Sequence, residues 1–145
     1  MTTEQQNYNL FLDDIRMPNK VSWINLPLVD WVIVRNFDQF TAYIKLHGLP
    51  LRVSFDHDLA DEHYAGDSVQ SVNPTGYDCV KWMVQYCIDH EKPFPEYYLH
   101  TLNDNGLMNM LSYIRSFEKT QNANATRKTN TSGIDNGSDK LGVVG

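Results

Sequence analysis

Four short apolar runs, each ending abruptly in polar or ionisable residues, constrain the fold of this chain more than any other feature. They are "YNLFLDD" at 8–14, "DWVIVRN" at 30–36, "LRVSFD" at 51–56 and "EYYLHT" at 96–101. Runs this short, rich in branched and aromatic residues and bounded by charges, read as buried strands. Each of the last three is followed by a segment with helical spacing. In 37–48, Phe37, Phe40 and Ile44 recur at helical intervals beside Ala42, Tyr43 and Leu46, with Asn36 placed as N-cap and Gly48 as stop. In 75–90, Val80, Met83, Val84, Cys87 and Ile88 form one apolar face, and 104–117 reads as a closing helix. The order strand, strand, helix, strand, helix, strand, helix predicts an α/β three-layer sandwich around a mostly parallel sheet of about four strands.

A chain of 145 residues fits one domain with a real core. Residues 1–7 are expected to be flexible, 8–118 to form the domain, and 119–145, rich in Asn, Thr, Gly and Ser, to be a disordered tail. No apolar run approaches the roughly 18 residues of a membrane span, and "MTTEQQNYN" lacks the apolar core of a signal peptide, so a cytoplasmic protein without a membrane partner is expected. Cys79 and Cys87 lie in one predicted helix, about 12 Å apart along its axis, too far to bridge. They read as core thiols, and nothing suggests a disulfide framework or a zinc site.

The net charge of -6 excludes a broad nucleic-acid surface. Acidity is concentrated in residues 1–118, which hold 8 Lys and Arg against 16 Asp and Glu. A small anion could bind there only through a local arginine, backbone amides or a metal.

The topology decides where chemistry can sit, because open α/β sheets bind ligands at the carboxyl ends of their strands. Those ends carry Asp13-Asp14, Arg35-Asn36, Asp56-His57-Asp58 and His100-Thr101-Leu102-Asn103. Four carboxylates on one edge repel one another unless a proton, an arginine or a divalent cation neutralises them. An oxygen site for Mg²⁺, Mn²⁺ or Ca²⁺ is the economical solution. Arg16 can pair with the acids or grip a phosphate with its planar fork. His57 and His100 together suit general acid and base work on a phosphodiester, while His47, His63 and His90 read as surface or loop residues, His63 being a candidate fifth ligand. "NPTGYD" at 73–78 and "HTLNDNG" at 100–106 each open a helix. Thr75, Gly76, Asn103, Asn105 and Gly106 there serve either as ordinary caps or as a phosphate cradle.

"LFLDD", "VSFDHDL" and a hydroxyl residue after the fourth strand resemble the receiver domain of two-component response regulators. That resemblance implies a receiver-like, flavodoxin-like fold, with Asp13 and Asp14 as metal-binding acids, Asp56 at the phosphoacceptor position and Thr101 as the switch hydroxyl. Closer still is a receiver-like branch described as cyclic-phosphate processing. Its motifs "LDDxR.P", "SFDHDL", "GYD" and "HSxNxxG" are met here, in order, by "LDDIRMP", "SFDHDL", "TGYD" and "HTLNDNG". An ordinary receiver adds a fifth strand ending in lysine, which this chain lacks, and His57, Asp58 and His100 are groups that signalling does not need. The resemblance therefore implies a phosphodiesterase acting on a 2',3'-cyclic RNA end or a cyclic nucleotide. In that reading Asp13, Asp14 and Asp56 hold a divalent cation (Mg or Mn) and Arg16, Thr75, Gly76, Asn103 and Gly106 bind the substrate. His57, His100, Asp56, Asp58 and Thr101 carry the catalysis. Two rivals stand beside it: a nucleotide sensor without turnover, and a phosphoacceptor module regulating a partner through Asp56.

Overall fold

Each apolar run contributes a four-residue strand: β1 (Asn9–Leu12), β2 (Trp31–Val34), β3 (Arg52–Phe55) and β4 (Glu96–Leu99). The helices are α1 (Phe37–His47), α2 (Gly76–His90) and α3 (Asp104–Lys128). The computed structural model describes residues 7–59 and 74–128.

The strands form one parallel sheet in the order β2-β1-β3-β4, with Leu10 opposite both Val32 and Val53, and Val53 opposite Tyr97. From β1 the chain moves to one side of the sheet and from β3 to the other. Their adjacent carboxyl ends are thus the topological switch point, where such sheets bind ligands. Among the described residues this is the receiver-like, flavodoxin-like order with four strands.

Alternation along the strands separates two chemistries. Leu10, Leu12, Val53, Phe55 and Tyr97 join Phe40, Ile44, Val80, Met83, Met110 and Ile114 in one buried apolar cluster, so the helices cover that face. They do so as a row, α2 packing against both α1 and α3. Phe11, Ser54 and His100 belong to the opposite face, where Phe11 stacks on the His100 ring with centroids 4.6 Å apart and planes 5° from parallel. The connection from β1 to β2 contains no α-helix. It makes one 3-10 turn at Pro18–Lys20, and Trp23 then returns to the carboxyl edge, its Nε1–H donating to the His100 carbonyl at 2.8 Å.

Local signals start and stop the helices where expected. Asn36 Oδ1 accepts the Gln39 N–H at 2.8 Å, and Gly48, at φ 86°, ends α1 in a conformation that glycine adopts without strain. Thr75 and Asp78 form a reciprocal capping box at α2. The apolar faces are narrower than the spacing suggests: Leu46 and Ile88 are exposed, while Thr41 and Cys79 are buried. Cys79 and Cys87 are free and buried, and burial pushes the Cys87 thiol up to about 12.

The closing helix, expected over 104–117, is longer than that: α3 runs on to Lys128. "KTQNANATRK" contains neither Gly nor Pro, and extending an existing helix is far cheaper than nucleating one. Gln121 also ties this turn to the body, its Nε2 donating to the Lys92 carbonyl at 3.3 Å. The rest of the expected tail, the first six residues and His63 lie outside the described residues. No described helix is long and apolar enough to cross a membrane.

Candidate functional site

The sheet's hydrogen bonding continues one residue past the strands. The backbone N–H of Asp13 donates to Val34 O at 3.1 Å, that of Asp56 to Leu12 O at 3.0 Å, and that of His100 to Phe55 O at 3.0 Å. This holds Asp13, Asp56 and His100 in adjacent positions on the face of Phe11 and Ser54. Their exposures are only 0%, 5% and 0%, and their potential ligand atoms all lie within 4.8 Å of one another.

Asp13 is the best-held of the three. Its Oδ1 accepts the backbone N–H groups of Ile15 (3.0 Å) and Arg16 (2.8 Å), while its Oδ2 meets His100 Nε2 (3.0 Å) and Arg16 NH1 (3.4 Å). Burial alone would raise its pKa, but hydrogen bonds from His100, Arg16 and Ile15 outweigh that and hold it at about 2. Asp56 goes the other way. Burial, reinforced by the neighbouring Asp13 charge, pushes it up to about 6 despite the His57 N–H that its Oδ1 accepts at 2.9 Å. Two adjacent aspartates thus differ in proton affinity, a pattern typical of reactive sites.

His100 is committed on both ring nitrogens. Nε2 faces Asp13 and Nδ1 lies 2.7 Å from Ser54 Oγ. An ionised Asp13 can only accept, so in the neutral ring the proton is assigned to Nε2 and the Ser54 hydroxyl donates to Nδ1.

His57 sits nearer solvent, its side chain 16% exposed, with Nδ1 2.9 Å from Asp58 Oδ1. Asn103 Nδ2 donates to the same carboxylate oxygen at 3.2 Å. Two glycines allow this seat. A Cβ on Gly106 would stand 2.4 Å from His57 Cγ, and one on Gly76 would stand 1.8 Å from the Asp56 carbonyl oxygen. The first turns of α3 and α2 close on residues 56–57 only because neither position has a side chain.

The cyclic-phosphate processing receiver domain matches residues 8–116. The chain belongs to that family. No curated protein and no solved structure matches it. The matched span takes in all four strands and ends within α3, so it includes every member of the acid and imidazole group.

Within this cyclic-phosphate processing receiver domain, several expected roles change. Thr75, Gly76 and Gly106 were read as either ordinary caps or a phosphate cradle, and their amides are engaged within the protein. Thr75 N–H donates to Asp78 Oδ2 (2.7 Å), Gly76 N–H to His57 O (2.7 Å) and Gly106 N–H to Asn103 Oδ1 (2.8 Å), while Tyr77 and Asp78 N–H donate to Thr75 Oγ1. Caps and close packing, not an anion, satisfy them. Asn103 both caps α3 and restrains Asp58. Thr101 is buried, and its hydroxyl accepts the Asn103 N–H at 3.0 Å, shaping the entry to α3. Asp58 is directed to His57 and Asn103 rather than to the acid pair.

Among the described residues, those whose potential ligand atoms converge are Asp13, Asp56 and His100. Asp14 lies one residue beyond the hydrogen-bonded register that aligns Asp13. Two carboxylates and an imidazole, with one acid destabilised by the other, form a donor set that fits a divalent cation. Three participants were not anticipated. Ser54 holds His100. Arg35 NH1 donates to the carbonyls of Asp13 (2.9 Å) and Arg16 (2.7 Å), bracing the loop after β1. Trp23 is anchored to His100. A serine within "RVSFD" and an arginine ending "WVIVR" were the available signals; the position of Trp23 had none.

Proposed function

We propose that this domain hydrolyses a cyclic phosphodiester, either a 2',3'-cyclic RNA end or a cyclic nucleotide. The observation that carries the reading is the buried Asp13–Asp56–His100 group at the switch point, with Arg16 beside it. Asp13, Asp56 and His100 would hold a divalent cation, which when bound acts as a Lewis acid on a phosphoryl oxygen. Arg16 spends one donor on Asp13 and keeps the rest of its fork for the phosphate. His100 has no exposed surface, so it exchanges no proton with substrate; to join the cation its proton would move from Nε2 to Nδ1, where Ser54 Oγ can accept it.

His57 is the group suited to proton transfer. Asp58 engages Nδ1, which leaves Nε2 to take a proton from the attacking water. The water oxygen bonds to phosphorus, the ring P–O bond breaks, and the departing alkoxide takes a proton from solvent, leaving a phosphomonoester.

The test is incubation of the full chain with 2',3'-cyclic mononucleotides, cyclic-ended oligoribonucleotides and 3',5'-cyclic nucleotides. Parallel reactions contain magnesium, manganese or chelator, and products are read by mass spectrometry. A product heavier by one water, lost in chelator and in His57→Ala, is expected. Complete recovery of every compound would overturn hydrolysis in favour of a sensor without turnover. Phosphorylation of Asp56 by a small phosphodonor would favour the phosphoacceptor module.

A further inference from the structure

Trp23 occupies an unusual place beside the acid group. Its indole N–H is used internally, donating to the His100 carbonyl at 2.8 Å, yet the residue remains 37% exposed. With its polar atom satisfied by the protein, what it offers to solvent is apolar ring. The Arg16 guanidinium carbon stands 5.1 Å from the ring centroid, and Arg16 NH1 reaches Asp13 Oδ2 at 3.4 Å. Indole, guanidinium and buried carboxylate therefore succeed one another in contact.

We infer that Trp23 is a nucleobase platform, with Arg16 as the bridge between base and phosphate. The inference rests on the cyclic-phosphate reading for the phosphate half only. In a nucleotide the flat base is one sugar away from the phosphate, and here the flat indole is one guanidinium away from the acid group. Stacking on an indole needs no particular pattern of donors and acceptors, so any of the common bases fits. A cation over the indole also polarises its π surface and remains able to pair with a phosphoryl oxygen. A cyclic phosphate without a base would use Arg16 and the acid group alone.

The experiment follows the Trp23 indole N–H resonance, assigned by its loss in Trp23→Phe. Full-length protein carrying His57→Ala, in which turnover is lost, is titrated in magnesium, with Trp23 intact or replaced, with 2',3'-cyclic AMP, 5'-AMP and glycerol 1,2-cyclic phosphate, and calorimetry supplies the affinities. Both nucleotides are expected to shift the resonance. Trp23→Ala is expected to weaken 2',3'-cyclic AMP by about 5- to 150-fold, the range of base–aromatic stacking, while leaving the glycerol compound unchanged. Trp23→Phe, which keeps a ring but loses the N–H, should stay within about 3-fold of the protein with Trp23 intact. Equal shifts from 5'-AMP and 2',3'-cyclic AMP with no binding of the glycerol compound would sink the cyclic-phosphate reading and keep the platform. An unmoved resonance with all three ligands, or equal losses for both cyclic compounds in Trp23→Ala, would overturn the platform.

Discussion

Strand β3 lets two regions be compared within four residues. Val53 and Phe55 face the helices, and Ser54 and Asp56 face the opposite way, yet all four are buried. On the helix side burial is favourable in itself, because each apolar atom removed from water stabilises the fold and any well-fitting hydrophobe serves. On the other side burial is costly unless every polar atom finds its partner, so Ser54 requires His100, His100 requires Asp13, and Asp13 requires the Arg16 and Ile15 amides. The first region determines whether the sheet forms. The second can be kept only by a particular set of residues, as expected of a site maintained for its chemistry.

The largest effect should come from the apolar side. Phe55→Ala is expected to lose about 3–5 kcal/mol of stability by urea unfolding, as a buried phenyl leaves both lost transfer energy and a cavity. Ser54→Ala, one residue away, should lose about 1–3 kcal/mol by stranding His100 Nδ1. A cost for Ser54→Ala equal to that of Phe55→Ala would erase the distinction between the faces.

The pH profile sharpens the comparison, since only the polar side titrates. Asp13, at about 2 in the fold against 3.8 ordinarily, contributes stability above about pH 4 that is lost as pH falls through 2. Asp56, at about 6 against 3.8, does the reverse: the folded state holds the proton more tightly, so stability falls as pH rises from about 4 to 6. In chelator, these two residues should give an unfolding midpoint that peaks near pH 4, and Asp56→Asn should remove the upper limb while keeping the lower. Manganese at neutral pH should raise the midpoint of the native chain and not of Asp56→Asn, because it would neutralise the Asp56 carboxylate that is ionised there.

The most local effect is expected at Gly106→Ala. Its methyl would stand 2.4 Å from His57 Cγ, so the seated ring must shift and unfolding should cost about 1–3 kcal/mol. Turnover of a cyclic substrate should nevertheless fall with the displaced ring. Unchanged turnover would show that the His57 position does not matter.

How much of this was legible beforehand differs between the two regions for the same reason. The helix-facing pattern repeats along the chain, so "LFL", "WVIV" and the 40–44 and 80–87 spacings announced the strands and helices. Failures came at the margins, as with Leu46, Ile88 and the α3 end, where spacing says nothing about the width of contact or the reach of a helix without a breaker. In the site, positions could be read and partners could not. Asp13, Asp56 and His100 were marked by standing at strand ends, but which of Asp13 and Asp14 joins the group depends on one residue of register. Gly76 and Gly106 could be read as belonging to helix openings, but that the Asp56–His57 backbone and ring pack against them could not.

The sequence by itself determined the element order, the parallel sheet, the family motifs and the edge at which ionisable groups gather, because those follow from local periodicity and from the short range of caps and turns. Only the tertiary structure decided that His100 meets Asp13 across 87 positions and Ser54 across 46, that one aspartate is held below the usual carboxylate range while its neighbour is pushed above it, and that Trp23 lies against Arg16. Hydrogen bonds and Coulomb forces act through space within a few ångströms, and the chain does not encode those distances until the sheet has brought its strand ends together.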